Sequence, residues 1–408
     1  MKKLGKQSIV MVMALVMLLF LCGQGNVGNM IVNAEEEGTR ALTQNGAGYY
    51  ELYTKEDLKL FADLVNGTNG QTQDTAANAI LMSDIVLNEN LLDQDGTLSV
   101  SGGDAIVFES WTPIGSGSAP YMGIFDGNGH IISGLYINAP EADYQGLFGC
   151  VGTNGKVQNL GMKDTYLCAY YCMAAICGNN GGTITNCFHQ GRLTVGKESY
   201  QYAAAIGGCN TGLIEYCYNE ATIVWEKKEN YQGYYFIGLA GICGKNSSDM
   251  MNKGGVLVNC YNTGDITGYG GVNVSGISAE NHYRIMNCYN LGKIIAGNGA
   301  AGICSWNNVE LIINCYNKGE IIADDNAAGI MTWSYGSIAN CYNEGTIKAN
   351  KGGAGGICTS ITKNSVHGYD IKNCYNRGVI EGESNVGSIV AIINESNYYG
   401  DLSENIVV

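Results

Sequence analysis

Residues 300–326 read AAGICSWNNVELIINCYNKGEIIADDN, and residues 327–350 read AAGIMTWSYGSIANCYNEGTIKAN. They are one unit written twice. Each opens Ala-Ala-Gly-Ile, reaches Asn-Cys-Tyr-Asn, passes a glycine and closes on an Ile-rich run. A recurring period of about 26–30 residues means stacked units, and it decides the fold before any single residue does.

The signature spreads outward from this pair. Its Cys column holds Cys187, Cys217, Cys260, Cys288, Cys315, Cys341 and Cys374. The aromatic beside it is Phe188, Tyr218, Tyr261, Tyr289, Tyr316, Tyr342 and Tyr375. A glycine recurs just downstream at Gly191, Gly264, Gly292, Gly319, Gly345 and Gly378, with Ala221 the departure. Upstream lies an isoleucine column: Ile176, Ile206, Ile242, Ile277, Ile303, Ile330 and Ile357. Gln145–Gly161 is a more divergent earlier copy.

Each unit carries three short β-like runs, such as AAGIC, LIIN and EIIA, separated by Asn/Gly turns. Helical solenoids need amphipathic helices in every unit and are excluded. One coil of three strands per unit fits a parallel β-helix of about 8–10 coils, with successive coils about 4.8 Å apart. In such a stack Asn can hydrogen-bond Asn, and Ile packs on Ile. Glycine is expected to supply positive φ at the sharp turns. The insertions Glu226–Tyr235 and Ser247–Gly254 are expected to leave the stack as loops.

The stretch YQGLFGCVGTNGKVQNLG at 144–161, with the repeated GGI and INCYNxG pattern, resembles the GLUG-motif repeats of bacterial surface proteins. FDGNGHIISGL at 125–135 is similar to the segment preceding those repeats, including in the non-catalytic N-terminal regions of metallopeptidases that cleave immunoglobulin A. The resemblance covers roughly residues 48–395. It implies a right-handed parallel β-helix at the cell surface, in a family often read as adhesins. Such repeats accompany many activities, so the resemblance speaks to fold more than to function.

Residues 1–34 have a secretory pattern: Lys2, Lys3 and Lys6, then thirteen apolar residues from Ile9 to Leu21, then Val32-Asn33-Ala34 as a cleavage site. Lipidation at Cys22 is the rival, disfavoured by bulky Leu21. Removing this segment takes the formal charge from −15 to −18, a poor balance for nucleic-acid binding. Residues 35–48 read as a linker and 49–143 as an N-terminal cap with entry coils. Residues 144–385 read as the repeats and 386–408 as a final coil or cap. Thr54–Asn66 is an amphipathic helix with a Thr cap, placed over the open N-terminal end. Ala79–Leu87 is expected to be the first strand. No membrane span is expected in the mature chain, which is read as a monomer, secreted or held at a bacterial surface.

Fifteen cysteines lie beyond Cys22. A second set at Cys177, Cys243, Cys304 and Cys358 shares its slot with Phe148, Gly207, Ser278 and Met331. A slot tolerating those residues is a packing position, so the columns read as reduced ladders, with inter-coil disulfides as the alternative. Cys168, Cys172 and Cys177 lack zinc-site spacing, and no metal or cofactor is expected.

No HExxH, GxSxG or phosphate loop is present. A polysaccharide lyase or glycoside hydrolase is the enzyme alternative. Its candidate clusters are Asp324-Asp325, Glu280 with His282 and Arg284, and Asp370 with Lys372. The favoured reading is a non-enzymatic scaffold binding a glycan or protein. Tyr218, Tyr261, Tyr289, Tyr316, Tyr342 and Tyr375 are its candidate binding residues if they face outward. Strand alternation leaves that open, because a bend at Asn340 would reverse the faces of Cys341 and Tyr342. A passive spacer is the third reading.

Overall fold

Identical residues sit directly above one another throughout a computed structural model of the chain. Tyr289 pairs with Tyr316 and Tyr342 with Tyr375; Ile294 pairs with Ile321, and Ile321 in turn with Ile347. The structure describes residues 41–99, 107–226, 237–247, 254–308, 311–363 and 370–395. The named strand pairings are parallel, and they build a β-solenoid of about ten turns with one short helix near its N-terminus. Residues 1–34, read above as a secretory signal, the lipidation candidate Cys22, residues 35–40 of the expected linker and residues 396–408 of the expected final coil lie outside the described residues.

Each coil uses more strand pieces than the three expected. One full turn runs Tyr289–Asn290, Ile294–Ala296, Gly299–Ala301, Cys304–Asn307 and Ile312–Ile313. The Gly-Ile pair splits AAGIC into two strands on different sheets. The Asn-Cys-Tyr-Asn bend separates Ile312–Ile313 from the next strand, Tyr316–Asn317. The described strands Thr222–Trp225 and Cys243–Asn246 end just before the two insertions, most of which (227–235 and 248–253) lies outside the described residues.

The bend works by a device other than glycine. The first Asn of the signature holds left-handed φ in coil after coil: 54° at Asn186, 55° at Asn259, 54° at Asn287 and Asn314, 52° at Asn340 and 53° at Asn373. Asn tolerates this region better than other residues with a Cβ. Of the glycine column only Gly191 has positive φ. The column's glycines serve close approach instead. A Cβ on Gly319 would lie 2.0 Å from the Gly292 carbonyl oxygen and 2.7 Å from Asn290 Nδ2.

Because the bend reverses the alternation, Ile338 and Cys341 both point into the core, and so does Asn343. The core is one continuous strip of Ile, Val, Leu and Ala with both cysteine sets in it. Each Cys of the first column places Sγ 3.1–3.3 Å from the carbonyl two residues before it. Burial holds the thiols of Cys217, Cys260 and Cys315 well above the usual range, so they stay protonated. One disulfide is present among the described residues. It joins Cys172 to Cys209, outside both columns and across neighbouring coils, with Cα atoms 5.4 Å apart.

Asparagine ladders supply the polar order. Along the series Asn219, Asn262, Asn290, Asn317, Asn343 and Asn376, each Nδ2 donates to the next Oδ1 at 2.7–2.8 Å. A second, buried ladder runs Asn180, Asn210, Asn246, Asn281 and Asn307. An outer ladder links the left-handed asparagines from Asn259 to Asn373 at 3.1 Å.

At the N-terminal end, helix α1 (Lys55–Asn66) has a Thr54–Asp57 capping box and a left-handed Gly67. Its Leu58, Phe61, Ala62 and Val65 are buried, and Phe61 packs on Tyr50, Tyr121 and Phe125. The first strand is Tyr49–Leu52, ahead of the helix, and it pairs with Asn78–Leu81. The expected first strand at Ala79–Leu87 is therefore the second and third strands. The helix is the crossover of a βαβ step and covers the core from there.

His189 occupies the first rung of the inner amide ladder, paired in register with Asn219. Its Nε2 lies 3.0 Å from Thr165 Oγ1, and its buried Nδ1 has no partner among the described residues. Burial pushes its pKa down to about 3. The unfolded chain takes up a proton near pH 6.5 while the native ring does not. Stability should therefore fall below pH 6.5, by up to about 1.4 kcal/mol per unit. His189→Asn is expected to lessen the loss of melting temperature between pH 6.5 and 4; an unchanged pH profile refutes this. Gly319→Ala should cost about 1–3 kcal/mol in denaturant unfolding, because backbone must move. The same change at open Gly129 removes only a positive-φ preference and no contact.

Candidate binding face

Phe188 and the six tyrosines form a ladder on the outer surface. Successive ring centroids are 4.8–5.1 Å apart and the planes lie within 5° of parallel. Phe188 through Tyr342 are half-buried and Tyr375 is exposed. The bend causes this: with Cys341 and Asn343 turned inward, Tyr342 turns outward. Burial and the neighbouring phenols push Tyr261 up to about 12, burial first.

This stacking changes what the column can do. Each interior ring has both faces against its neighbours. Stacking a sugar on an aromatic needs an open face, so the interior rings do not offer it. They present instead a line of edges and hydroxyls at the coil spacing. The first ring is covered too: a Cβ on Gly161 would sit 2.5 Å from Phe188 Cζ. The flank carries mixed charge. Lys318 lies 5.7 Å from the centre of the Tyr316 ring and 3.0 Å from Glu344. Arg377 lies 5.3 Å from the Tyr375 centroid and 3.8 Å from Glu344. The outer Asn ladder runs parallel two residues upstream, so amides and phenols alternate across the face.

The acidic clusters behave differently from one another. Glu280 and His282 do meet, but Arg284 turns away and sits over Tyr283 at 5.0 Å. Glu280's other partners are Lys245 at 3.1 Å and the Tyr202 hydroxyl. Lys245 also lies 5.1 Å above the Tyr202 ring. Burial opposes the Glu280 carboxylate, yet the His282 hydrogen bond, the Lys245 charge and the Tyr202 hydroxyl outweigh it and hold the pKa at about 2. Tyr202 itself packs on Tyr171, and it shares a small buried cluster with Cys172 and Cys209. This is a locked ion pair with one carboxylate, whereas glycoside hydrolysis uses two. Asp324 accepts from Asn350 Nδ2 at 3.1 Å, and Asp370 pairs with Lys372.

Cys168, Cys172 and Cys177 do not converge. Cys168 joins a small cluster with Leu91 and Tyr166, Cys172 is in the disulfide, and Cys177 is in the core. Among the described residues no three His, Cys, Asp or Glu side chains are placed to hold a metal ion. Tyr170 is exposed and stacks on Tyr200 at 5.0 Å. Lys245 and Glu280 each follow a column isoleucine (Ile242, Ile277) by three residues and pair in register, so the repeat alignment brings them together; Tyr202, 78 residues from Glu280, is not in that column.

No family model matches the chain. A protein of Evansella cellulosilytica named "Putative Gly-rich membrane protein" is 40% identical over 79 residues, 19% of this chain and 9% of that protein. The protein of Haloquadratum walsbyi named halomucin is 29% identical over 150 residues, 34% of this chain and 2% of its own length. The chain thus spans under a tenth of these relatives. A solved structure described as a "putative immunoglobulin A1 protease from Bacteroides ovatus" aligns over 86% of this chain and 84% of that one. Its identity is 17% and its TM-score 0.39. Among the described residues no helix is long and apolar enough to cross a membrane.

Glu280→Gln should leave Lys245 and His282 facing a neutral amide in a buried setting. Breaking such a pair costs about 3–5 kcal/mol. The native Glu280 contribution is present above pH 4.5 and is lost as pH falls toward about 2. Urea unfolding at pH 7 and pH 3 checks both: the variant should trail the parent at pH 7 and approach it at pH 3. Equal stability at pH 7 would remove the structural role assigned to the pair.

Proposed function

We propose that this chain is an exported, non-enzymatic surface scaffold whose ladder face engages a glycan or a protein. The observation that carries the reading is the run of parallel, stacked, outward-facing Tyr218, Tyr261, Tyr289, Tyr316, Tyr342 and Tyr375. A rigid comb of hydroxyls, flanked by an amide ladder, is already ordered before a partner arrives. It loses little side-chain entropy on binding, and phenols serve well at interfaces. Recognition is by hydrogen bonds along the solenoid axis, not by stacking on ring faces. The secretory pattern of residues 1–34 and the membrane and halomucin names of the partial relatives support a surface setting.

The test takes residues 35–408 against an array of glycans and matrix proteins, with parallel assay for released reducing or unsaturated ends. Saturable binding without product is expected. Tyr289→Phe, Tyr316→Phe and Tyr342→Phe together keep the stack and remove three hydroxyls; they should weaken binding at least tenfold, on the order of 1.4 kcal/mol or more. Binding untouched by that triple variant takes the ladder out of the site. Product release sinks the scaffold reading. No binding to any array member leaves a spacer.

A further inference from the structure

One outer column of the solenoid does not repeat. Cys209, Lys245, Glu280, Trp306, Trp333 and Ser360 lie in register on successive coils. Stacking explains the Ile, Asn and Tyr columns, but it does not explain this one, and such variable positions are where solenoids carry binding surfaces. Lys245 and Glu280 are closed on each other. The next two members are indoles, at the corner where the strand Cys304–Asn307 follows the strand Gly299–Ala301. Hydroxyls bridge that corner. Ser305 Oγ donates to the Val274 carbonyl at 3.2 Å, Thr332 Oγ1 to that of Ala300 at 3.4 Å and Thr359 Oγ1 to that of Ala327 at 2.7 Å. These three residues, with Ala301 and Ala328, are small and fully buried, so the corner is a fixed floor. Trp333 reaches across it: a Cβ on Gly299 would lie 2.5 Å from Trp333 Cζ3.

We propose that Trp306 and Trp333 form a binding site for the pyranose rings of a neutral glycan. The two indoles do not close on each other as the tyrosines do. Their centroids are 6.0 Å apart and their planes 44° apart, and Tyr335 meets Trp306 at 5.8 Å and 39°. Ser360, in register with Trp333 on the next coil, brings no ring against it. Both indoles are half-buried, whereas the other two tryptophans, Trp111 and Trp225, are buried. A tilted aromatic surface matches the apolar C–H face of a pyranose, whose hydroxyls then need neutral polar partners at the rim. Asn308 is exposed on the turn after Asn307, and its Nδ2 lies 3.3 Å from His282 Nδ1. The formal charge of −15 disfavours an acidic polysaccharide. This inference does not rest on the ladder's binding role, since it uses other residues and the ring faces that the ladder hides.

The test runs residues 35–408 through native gels containing mannan, xylan, dextran or a β-glucan. At least one of these should retard the parent. The same polysaccharide should shield the parent's tryptophan fluorescence from acrylamide, a reading that needs no variant. Trp306→Ala with Trp333→Ala should weaken the retardation about tenfold or more. Tyr289→Phe, Tyr316→Phe and Tyr342→Phe together should leave it unchanged, which separates this site from the ladder. Absence of both retardation and shielding with all four polysaccharides overturns the proposal. So does retardation that survives the loss of both indoles. A matrix protein whose binding alone is removed by the tryptophan substitutions also overturns it, because the face then takes a protein.

Discussion

The hydrogen bond from one buried asparagine amide to the next, repeated at every coil, is the constraint on which the rest depends. An amide inside an apolar core is costly unless each of its groups finds a partner. Here each Asn of the ladder donates upward to the next Asn and also to the carbonyl two residues on, as Asn262 does to Asn290 and to Gly264. Those bonds exist only if coils are in register. A slip of one residue would bring a tyrosine, or a residue such as Glu344, Lys318 or Thr263, opposite the asparagine in place of its amide partner. Register, once held, stacks every other column as well. The isoleucines, the cysteines and the tyrosine rings are consequences of it.

The same constraint accounts for the small residues. Coils drawn together by amide ladders bring backbone to backbone at the corners, and the glycine column answers that approach. Gly292, Gly319 and Gly345 would each put a Cβ within 2.1 Å of the preceding coil's carbonyl oxygen. His189 shows what happens where the ladder begins. Its ring fills the rung but satisfies only one nitrogen, so the first coil of the ladder holds a local weakness that the later coils lack.

The proposed binding face sits on the outer side of this arrangement. Ring stacking at the coil spacing gives the face a rigid, periodic polarity and at the same time hides the ring faces. The Glu280 network has a different character. It is short-range and closed on itself, with acid, base and phenol all engaged with one another. It ties residues from neighbouring coils together near the Cys172–Cys209 disulfide, and its chemistry is spent on cohesion.

Much of this is legible in the amino-acid order alone. A period of 26–30 residues with Asn, Cys, Tyr, Gly and Ile columns leaves little besides a parallel stack, since only in-register coils make identical residues neighbours. The tolerance of Phe148, Gly207, Ser278 and Met331 in one slot marks it as a packing position, and Cys177, Cys243, Cys304 and Cys358 lie in the core. The Thr cap at Thr54 is local chemistry and is legible for that reason, while the reciprocal Asp57 bond appears only in the structure. Three things are decided only in three dimensions. The left-handed Asn340 inverts the alternation, so the outward placement of Tyr342 depends on a backbone angle that spacing does not encode. The glycine column serves contact between coils, which involves atoms a full repeat away. Tyr202's contact with Glu280 and the Cys172–Cys209 bond join residues of different columns on different coils. Residues that repeat announce their neighbours in the sequence; residues that occur once meet theirs only when the chain has wound.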